Sequence, residues 1–73
     1  MASKDFAFVI ITDFGYFRLL STHNPPRPFF TPHLKAAQYF RAHQQCFMDD
    51  VISVISSRGI PYEIGVVSFG GVR

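Results

Sequence analysis

The run Phe6-Ala-Phe-Val-Ile-Ile-Thr12 carries apolar side chains at both odd and even positions. β-Branched and aromatic residues of this kind are typical of strands. Side chains alternate between the two faces of a strand, so the even-numbered residues from Phe6 to Ile10 would share one face and the odd-numbered residues from Ala7 to Ile11 the other. A strand with two apolar faces has to be covered on both sides. The sequence therefore predicts a strand at the centre of a sheet.

A hairpin is expected to follow this strand. Residues 13–15 form a turn that ends in glycine, which adopts positive φ at no steric cost. Residues 16–20 then predict a second strand that returns antiparallel to the first. Residues 21–28 are rich in proline, which lacks an amide donor, and they indicate a loop. Phe29 and Phe30 offer a short additional edge strand.

The helical part of the chain follows this loop. Residues 33–58 contain neither glycine nor proline, and one continuous helix would be about 40 Å long. A seven-residue strand spans only about 23 Å, so such a helix would overhang a small sheet. The apolar pattern also weakens over residues 41–45. We therefore expect a helical turn over residues 32–38, a break over 39–42 and a main helix over 43–57.

The helical pattern ends at Gly59 and Pro61. Residues 62–69 predict the last strand, and residues 70–73 form a tail that is expected to fray. The expected fold is a single α+β domain over residues 1–73, with element order ββαβ. Its sheet would have three antiparallel strands in the order 2-1-3, and the main helix would pack on one face.

The chain has more aromatic surface than this fold can bury easily. Nine phenylalanines and three tyrosines stand beside seven Lys and Arg and five Asp and Glu. A core of this size supplies only about 3–5 kcal/mol. One helix covers one face of the sheet, so the apolar side chains of the second face need another cover. Either the loop and residues 32–40 fold over that face, or a partner protein or a second copy of the chain does.

Charge and composition indicate the compartment of the protein more clearly than its activity. The net charge is +2 and the basic residues are dispersed, so no basic run indicates nucleic acid. The single cysteine, Cys46, is typical of a reducing compartment. No apolar stretch has the pattern of a signal peptide or approaches the roughly 20 residues of a membrane span. We expect a cytoplasmic protein that does not enter a membrane.

The segment Lys4-Asp-Phe-Ala-Phe-Val9 is similar to the aromatic strand of RNA-recognition modules. In those modules alternating rings stack on bases, and Phe6 and Phe8 would be the stacking platforms here. Asp5 stands where that pattern has glycine, and Ile11 stands where it has an aromatic residue. Core packing is the alternative role of both rings. A small single-stranded nucleic-acid-binding protein is therefore the second functional hypothesis.

No residue pattern indicates catalysis, a metal or a cofactor. His43 and Cys46 lie three residues apart and would share a helix face, but zinc takes three or four protein ligands. The pair also lacks the third group that would orient a catalytic base. Cys46 is expected to be a small buried residue facing the sheet. Asp49 and Asp50 would point about 100° apart, and we expect them on the solvent-exposed side of the helix.

The layout resembles a class of small proteins encoded by bacteriophages and prophages. Those proteins have an opening hairpin, a short turn of the type aromatic-Thr-x-x-Leu-x-x-Ala-x-x-Phe, a main helix and a closing strand. The matching residues of the turn are Phe30, Thr31, Leu34, Ala37 and Phe40. Proteins of this size and style are similar to anti-CRISPR inhibitors, which block a surface of a host defence complex. The resemblance implies a non-enzymatic accessory protein that acts in the host cytoplasm.

The sequence therefore favours a binding protein that inhibits or redirects a host protein complex, such as a CRISPR-Cas complex. Aromatic residues and arginine commonly anchor protein interfaces. The residues predicted to contact the partner are Tyr16, Arg18, Arg27, Phe29, Phe30 and Tyr62. The expected partner is a host protein, with nucleic acid or a second copy of the chain as alternatives, and no catalytic residue, metal or cofactor is assigned.

Overall fold

Four antiparallel strands and one α-helix make up the protein, as a computed structural model shows for residues 6–22 and 24–68. The elements in chain order are β1 (Phe6–Thr12), β2 (Gly15–Leu20), β3 (Pro28–Thr31), two 3₁₀ turns (Leu34–Ala36 and Ala42–Gln44), α1 (Gln45–Ser57) and β4 (Tyr62–Ser68). No helix within the described ranges is long and apolar enough to cross a membrane.

The sheet has the strand order β3-β2-β1-β4, with every neighbouring pair antiparallel. The predicted α+β class, with one sheet and one helix, is therefore correct. The predicted sheet of three strands is incomplete, because Phe29 and Phe30 lie in β3, which pairs with β2 and forms one edge. β1 is central, as its two apolar faces require. The last strand ends at Ser68, and the predicted tail lies outside the described residues.

A bulge in β2 keeps the apolar side chains of this strand on the correct face. Phe17 faces Phe30 of β3, but Leu19 rather than Arg18 faces the next residue, Phe29. The extra residue shifts the alternation of β2 by one position. As a result Leu20 returns to the face of Phe17 and packs against the core.

Phe40 completes the sheet between β1 and β2. The register of β1 with β2 is confined to Ile11 with Tyr16 and Thr12 with Gly15, at the turn end of the hairpin. Further along, the two strands separate, and Phe40 pairs with Phe8 of β1 through backbone hydrogen bonds of 2.8 and 2.9 Å. The backbone amide of Gln38 donates to the carbonyl of Phe17 of β2 at 2.9 Å. The segment before α1 therefore supplies backbone partners that β1 and β2 do not supply to each other.

The core lies between the helix and one face of the sheet. It consists of Ile10, Phe17, Phe40, Val51 and Ile55, all 0–1% exposed. The rings of Phe17 and Phe40 are stacked with centroids 6.1 Å apart. Valine and isoleucine at positions 51 and 55 are four residues apart, so both face the sheet from one side of α1.

The helical segment is broken as predicted, although its main helix begins two residues later than expected. The amide of Arg41 donates to Gln44 Oε1 at 2.9 Å, and the amide of Gln44 donates to the carbonyl of Arg41 at 2.8 Å. These bonds close the turn that leads into α1. At the other end, Gly59 has φ +73° and the amide of Ile60 reaches back to the carbonyl of Ile55. This is a glycine-based helix stop in which the residue after the glycine packs on the core.

The second face of the sheet does not carry the expected exposed apolar patch at its centre. Ala7 and Val9, which face away from the core cluster, are 0% and 2% exposed. The middle of β1 is therefore covered on this face within the chain itself, as one of the two alternatives from the sequence allowed. The exposed apolar side chains lie mainly at the two edges of the sheet instead.

Candidate functional site: an aromatic and arginine-lined groove

Large apolar side chains are exposed at both edges of the sheet. On the β3 side these are Phe14, Leu19 and Phe29, with 65%, 43% and 45% of each residue exposed. On the β4 side a second group comprises Phe6, Tyr62, Ile64 and Val66. Leu34 and Phe47 are exposed elsewhere. Phe14 and Phe29 border a groove, whereas Tyr62, Ile64 and Val66 lie on the edge strand β4, so the two edges offer different kinds of surface.

An open groove of about 490 Å³ lies along the β3 edge. Its lining consists of aromatic, aliphatic and arginine side chains: Phe14, Arg27, Pro28, Phe29, Phe30, Arg58 and Ile60. We call this the β3 groove. None of these side chains is a carboxylate or a nucleophile, so the groove is suited to binding an acidic or aromatic group rather than to catalysis.

The hairpin turn holds Phe14 over the groove. The amide of Phe14 donates to Thr12 Oγ1 at 3.1 Å, and the Thr12 hydroxyl donates to the carbonyl of Gly15 at 2.9 Å. Gly15 has φ +115°, and a Cβ atom there would lie 2.6 Å from the carbonyl oxygen of Thr31. Only glycine fits this position. In the turn that it allows, the centroid of the Phe14 ring lies 5.7 Å from that of Phe30.

The two arginines come from the loop and from the end of the helix. Arg27 precedes β3, and its backbone is fixed by hydrogen bonds with Ser21, one from the Arg27 amide to Oγ at 3.0 Å and one from the Ser21 amide to the Arg27 carbonyl at 2.8 Å. Arg58 follows α1 and donates from Nη2 to the carbonyl of Pro26 at 2.9 Å. The Asn24–Pro25 peptide bond in this loop is cis. The loop and the helix end together place two positive charges beside three aromatic rings.

Three of the six residues that were predicted to contact a partner lie together in one groove. Arg27, Phe29 and Phe30 line the β3 groove. Arg18 is exposed in the bulge of β2, outside the groove, and Tyr16 is half-buried opposite Thr31. Tyr62 lies on β4, at the other edge of the sheet. The β3 groove therefore contains three of the six residues, and the strand order places Tyr62 away from it.

Four lining residues were missed from the sequence: Phe14, Pro28, Arg58 and Ile60. Phe14 belongs to a turn, and Arg58 has the position of an ordinary C-terminal helix cation. A place in a turn and a place at a helix end each explain these residues without a ligand. An exposed phenylalanine in a tight turn is the one signal that could have marked the site, since turns favour small polar residues.

A second, smaller cavity of about 290 Å³ has the opposite charge. It lies where β1 ends and β4 begins, and its lining is Ile11, Thr12, Asp13, Pro61, Tyr62 and Glu63. Its charged groups are the two carboxylates. The molecule therefore presents arginines at the β3 edge and acidic side chains near the β4 edge.

The proposed base-stacking platform on β1 is not available in the expected form. The rings of Phe6 and Phe8 are 5.7 Å apart in an edge-to-face arrangement, and Phe6 is 37% exposed. Phe8, however, packs against the core on the helix side of the sheet. Because Phe8 is half-buried, its ring offers less stacking surface than the expected platform.

The candidate reactive residues on α1 lie at the surface. Cys46 is exposed, so the prediction that it faces the sheet is wrong. The first turn of α1 instead directs the half-buried Met48 to the core. Asp49 and Asp50 are exposed, as predicted. Across residues 6–22 and 24–68, no group of three or more His, Cys, Asp or Glu side chains is arranged to hold a metal ion.

Comparisons with known proteins found no relative. No protein-family model matches the chain, and neither a search of curated proteins nor a search of solved structures gives a match.

Proposed function

We propose that this protein is a non-enzymatic binding protein that captures an acidic segment of a partner protein in the β3 groove. The observation that carries the proposal is the convergence of Phe14, Phe29 and Phe30 with Arg27 and Arg58 on one open groove. Aromatic rings supply apolar contact area with few rotatable bonds, and arginine binds carboxylates through a planar fork. Both residue types are enriched where binding energy concentrates in interfaces.

Charge favours an acidic partner. The charged groups among the lining residues are the two guanidinium groups, and the nearest carboxylate in the chain sequence is Asp13, beside Phe14. Complementary charge steers encounter and penalises wrong partners. A segment that combines an aromatic or aliphatic side chain with Asp or Glu would match both the rings and the arginines.

Nucleic acid is the weaker alternative for the same groove. Two arginines and exposed rings can also hold single-stranded nucleic acid. Such proteins usually track several phosphates with a longer basic surface, whereas this chain has a net charge of +2 and two arginines in the groove. The ring of Phe8 is also partly covered by its packing against the core. These features favour protein over nucleic acid.

The resemblance to small phage and prophage proteins extends the proposal to the partner's identity. On that basis the partner is a protein complex of the bacterial host, such as a defence nuclease, and the protein acts in the host cytoplasm by covering a surface of that complex. This part rests on the resemblance, whereas the binding site rests on the groove.

Affinity capture from a bacterial lysate with matched variants tests the proposal. The wild-type protein and Arg18→Glu are expected to retain one stoichiometric partner, whereas Arg27→Glu and Phe29→Ala are expected to lose about tenfold or more in affinity. Arg18 is the matched control because it is an exposed arginine outside the groove. Equal retention by all four proteins would remove the groove as the binding site.

Fluorescence anisotropy with a labelled single-stranded oligonucleotide tests the alternative. The expected result is no saturable binding at about 50–200 mM salt. Saturable binding that weakens steeply over this range, and that is lost in Arg27→Glu but not in Arg18→Glu, would replace the protein partner with nucleic acid.

A further inference from the structure

The free edge of β4 has an unusual composition for an exposed strand. β4 has the sequence Tyr-Glu-Ile-Gly-Val-Val-Ser, with one charged residue and no proline. It is an edge strand along its whole length, since its partner within the described chain is β1 alone. Proteins normally protect such edges with lysine, proline, bulges or very short strands, because an open edge is a template for further pairing. Glu63 is the one charged side chain that protects β4, which has no lysine, proline or bulge and is seven residues long.

The backbone groups that point out of this edge can be identified from the pairing of β1. Phe8 exchanges both of its backbone hydrogen bonds with Phe40, on the side of β1 away from β4. Alternate residues of a strand direct their backbone groups to opposite sides, so Val9 points to β4 and faces Gly65. The backbone groups of Ile64 and Val66 must then point outward, to the free edge.

The same two residues also expose their side chains. Ile64 and Val66 are 41% and 65% exposed and lie on the helix side of the sheet, opposite Ile10 and Phe8. The helix packs towards the β3 side and leaves this part of the sheet open. Tyr62 and Phe6, at 39% and 37%, continue the exposed surface. An outward backbone and an apolar strip therefore occur on the same strand.

We propose that β4 pairs antiparallel with β4 of a second copy, so that two sheets join into one of eight strands. With Gly65 opposite Gly65 of the second copy, all seven residues of β4 find a partner. Ile64 then faces Val66 of the partner subunit, and both residues direct their backbone groups towards each other, as a hydrogen-bonded antiparallel pair requires.

Charge and local space are compatible with this register. Glu63 of one copy faces the apolar Val67 of the partner subunit, so like charges are not placed opposite each other. Gly65 has no side chain at the two-fold axis, and the space above it is used by Ile11 and Val9, whose nearest atoms would lie 2.9 and 3.3 Å from an added Cβ. A second copy can therefore pair with β4 without a rearrangement of the strand.

The available area predicts a weak, concentration-dependent dimer. The apolar side chains of β4 that flank the seam are Tyr62, Ile64 and Val66, which are 39%, 41% and 65% exposed, and edge pairing covers only the parts of them that face the second copy. An interface made of one pair of seven-residue strands and these flanks is small, below about 1,200 Å², which is the range of weak and transient interfaces. The β3 grooves remain open at the two outer edges of the joined sheet, so dimerisation does not depend on the proposed function.

Sedimentation equilibrium over a wide concentration range tests the inference. The wild-type mass is expected to rise from the 8.3 kDa of one chain towards twice that value as concentration increases. Val66→Pro removes an amide that points outward and should be tolerated in an isolated edge strand, yet it blocks pairing with a second copy. We expect it to raise the dimer dissociation constant at least tenfold, with an unchanged circular dichroism spectrum.

A second pair of variants keeps the test decisive if Val66→Pro fails to fold. Ile64→Lys adds a charge to the proposed interface and should give a monomer, whereas Leu19→Lys, at a site of similar exposure outside β4, should dimerise like the wild type. A wild-type protein that stays monomeric at millimolar concentration would overturn the inference, as would a dimer that Ile64→Lys leaves intact. A monomer that pairs its β4 edge only with an extended peptide of another sequence would also overturn it.

Discussion

Phe8 and Phe40 exchange two backbone hydrogen bonds of 2.8 and 2.9 Å although they are far apart in sequence. This bridge fills the gap where β1 and β2 separate, and it places the Phe40 ring between Phe17 and Phe47, at 6.1 and 5.3 Å. One residue therefore joins the sheet through its backbone and the core through its side chain.

The amides of Phe8 and Phe40 should exchange with solvent only on global unfolding. Both are hydrogen-bonded inside the sheet, and such groups open with the full free energy of unfolding. The Ala36 amide, which is bonded to the carbonyl of His33 at 3.0 Å in a short 3₁₀ turn, should exchange much earlier. Hydrogen exchange followed by NMR measures all three, and equal protection of Ala36 would contradict the expected order.

Replacing Phe40 with leucine should destabilise the fold through lost packing in the core. Phe40→Leu removes a buried ring from two aromatic contacts, and we expect the free energy of unfolding to fall by about 1–2 kcal/mol. Phe14→Leu changes a ring that is 65% exposed and should shift it by no more than about 0.5 kcal/mol. Urea unfolding compares the two variants, and similar losses for both would show that the core is not centred on Phe40.

The two glycines with positive φ should respond differently to alanine. Gly15→Ala combines a strained backbone with a contact to the Thr31 carbonyl, and we expect a loss of about 2–4 kcal/mol. Gly59→Ala meets no atom within 4 Å and should cost about 1–2 kcal/mol. Thermal or urea unfolding gives both values. The hairpin geometry would need revision if Gly59→Ala proved the more harmful change.

Cys46 should react readily with a thiol reagent in the folded protein. Its side chain is exposed at the start of α1, so Ellman's reagent is expected to modify it at a similar rate with and without urea. Cys46→Ser should leave the stability within about 0.5 kcal/mol of the wild type. A thiol that reacts only after unfolding would support the buried position that the sequence predicted.

The sequence was most informative where one local rule acted alone. The two apolar faces of residues 6–12 placed β1 at the centre of the sheet, and the polar stretch before Gln45 correctly divided the helical region. The Gly59 helix stop was also predicted, because it depends only on the conformational freedom of glycine.

The missed features depend on partners that are distant in sequence. The bulge at Arg18 and Leu19 has no local signature and follows from the need to bring both Phe17 and Leu20 to the core. The burial of Ala7 and Val9 results from tertiary packing, which no alternation pattern specifies. The groove residues Phe14 and Arg58 meet only because the hairpin turn and the helix end lie on the same side of β3.

The bridge through Phe40 also has a consequence for synthesis on the ribosome. A nascent chain that ends before residue 40 can hold its opening hairpin only through the two residue pairs beside the turn. The long register of β1 with β4 cannot form until residues 62–68 have left the exit tunnel. The aromatic residues of β1 therefore lack their β4 neighbours until this strand has been synthesised, and transiently exposed apolar segments of this kind are prone to aggregation.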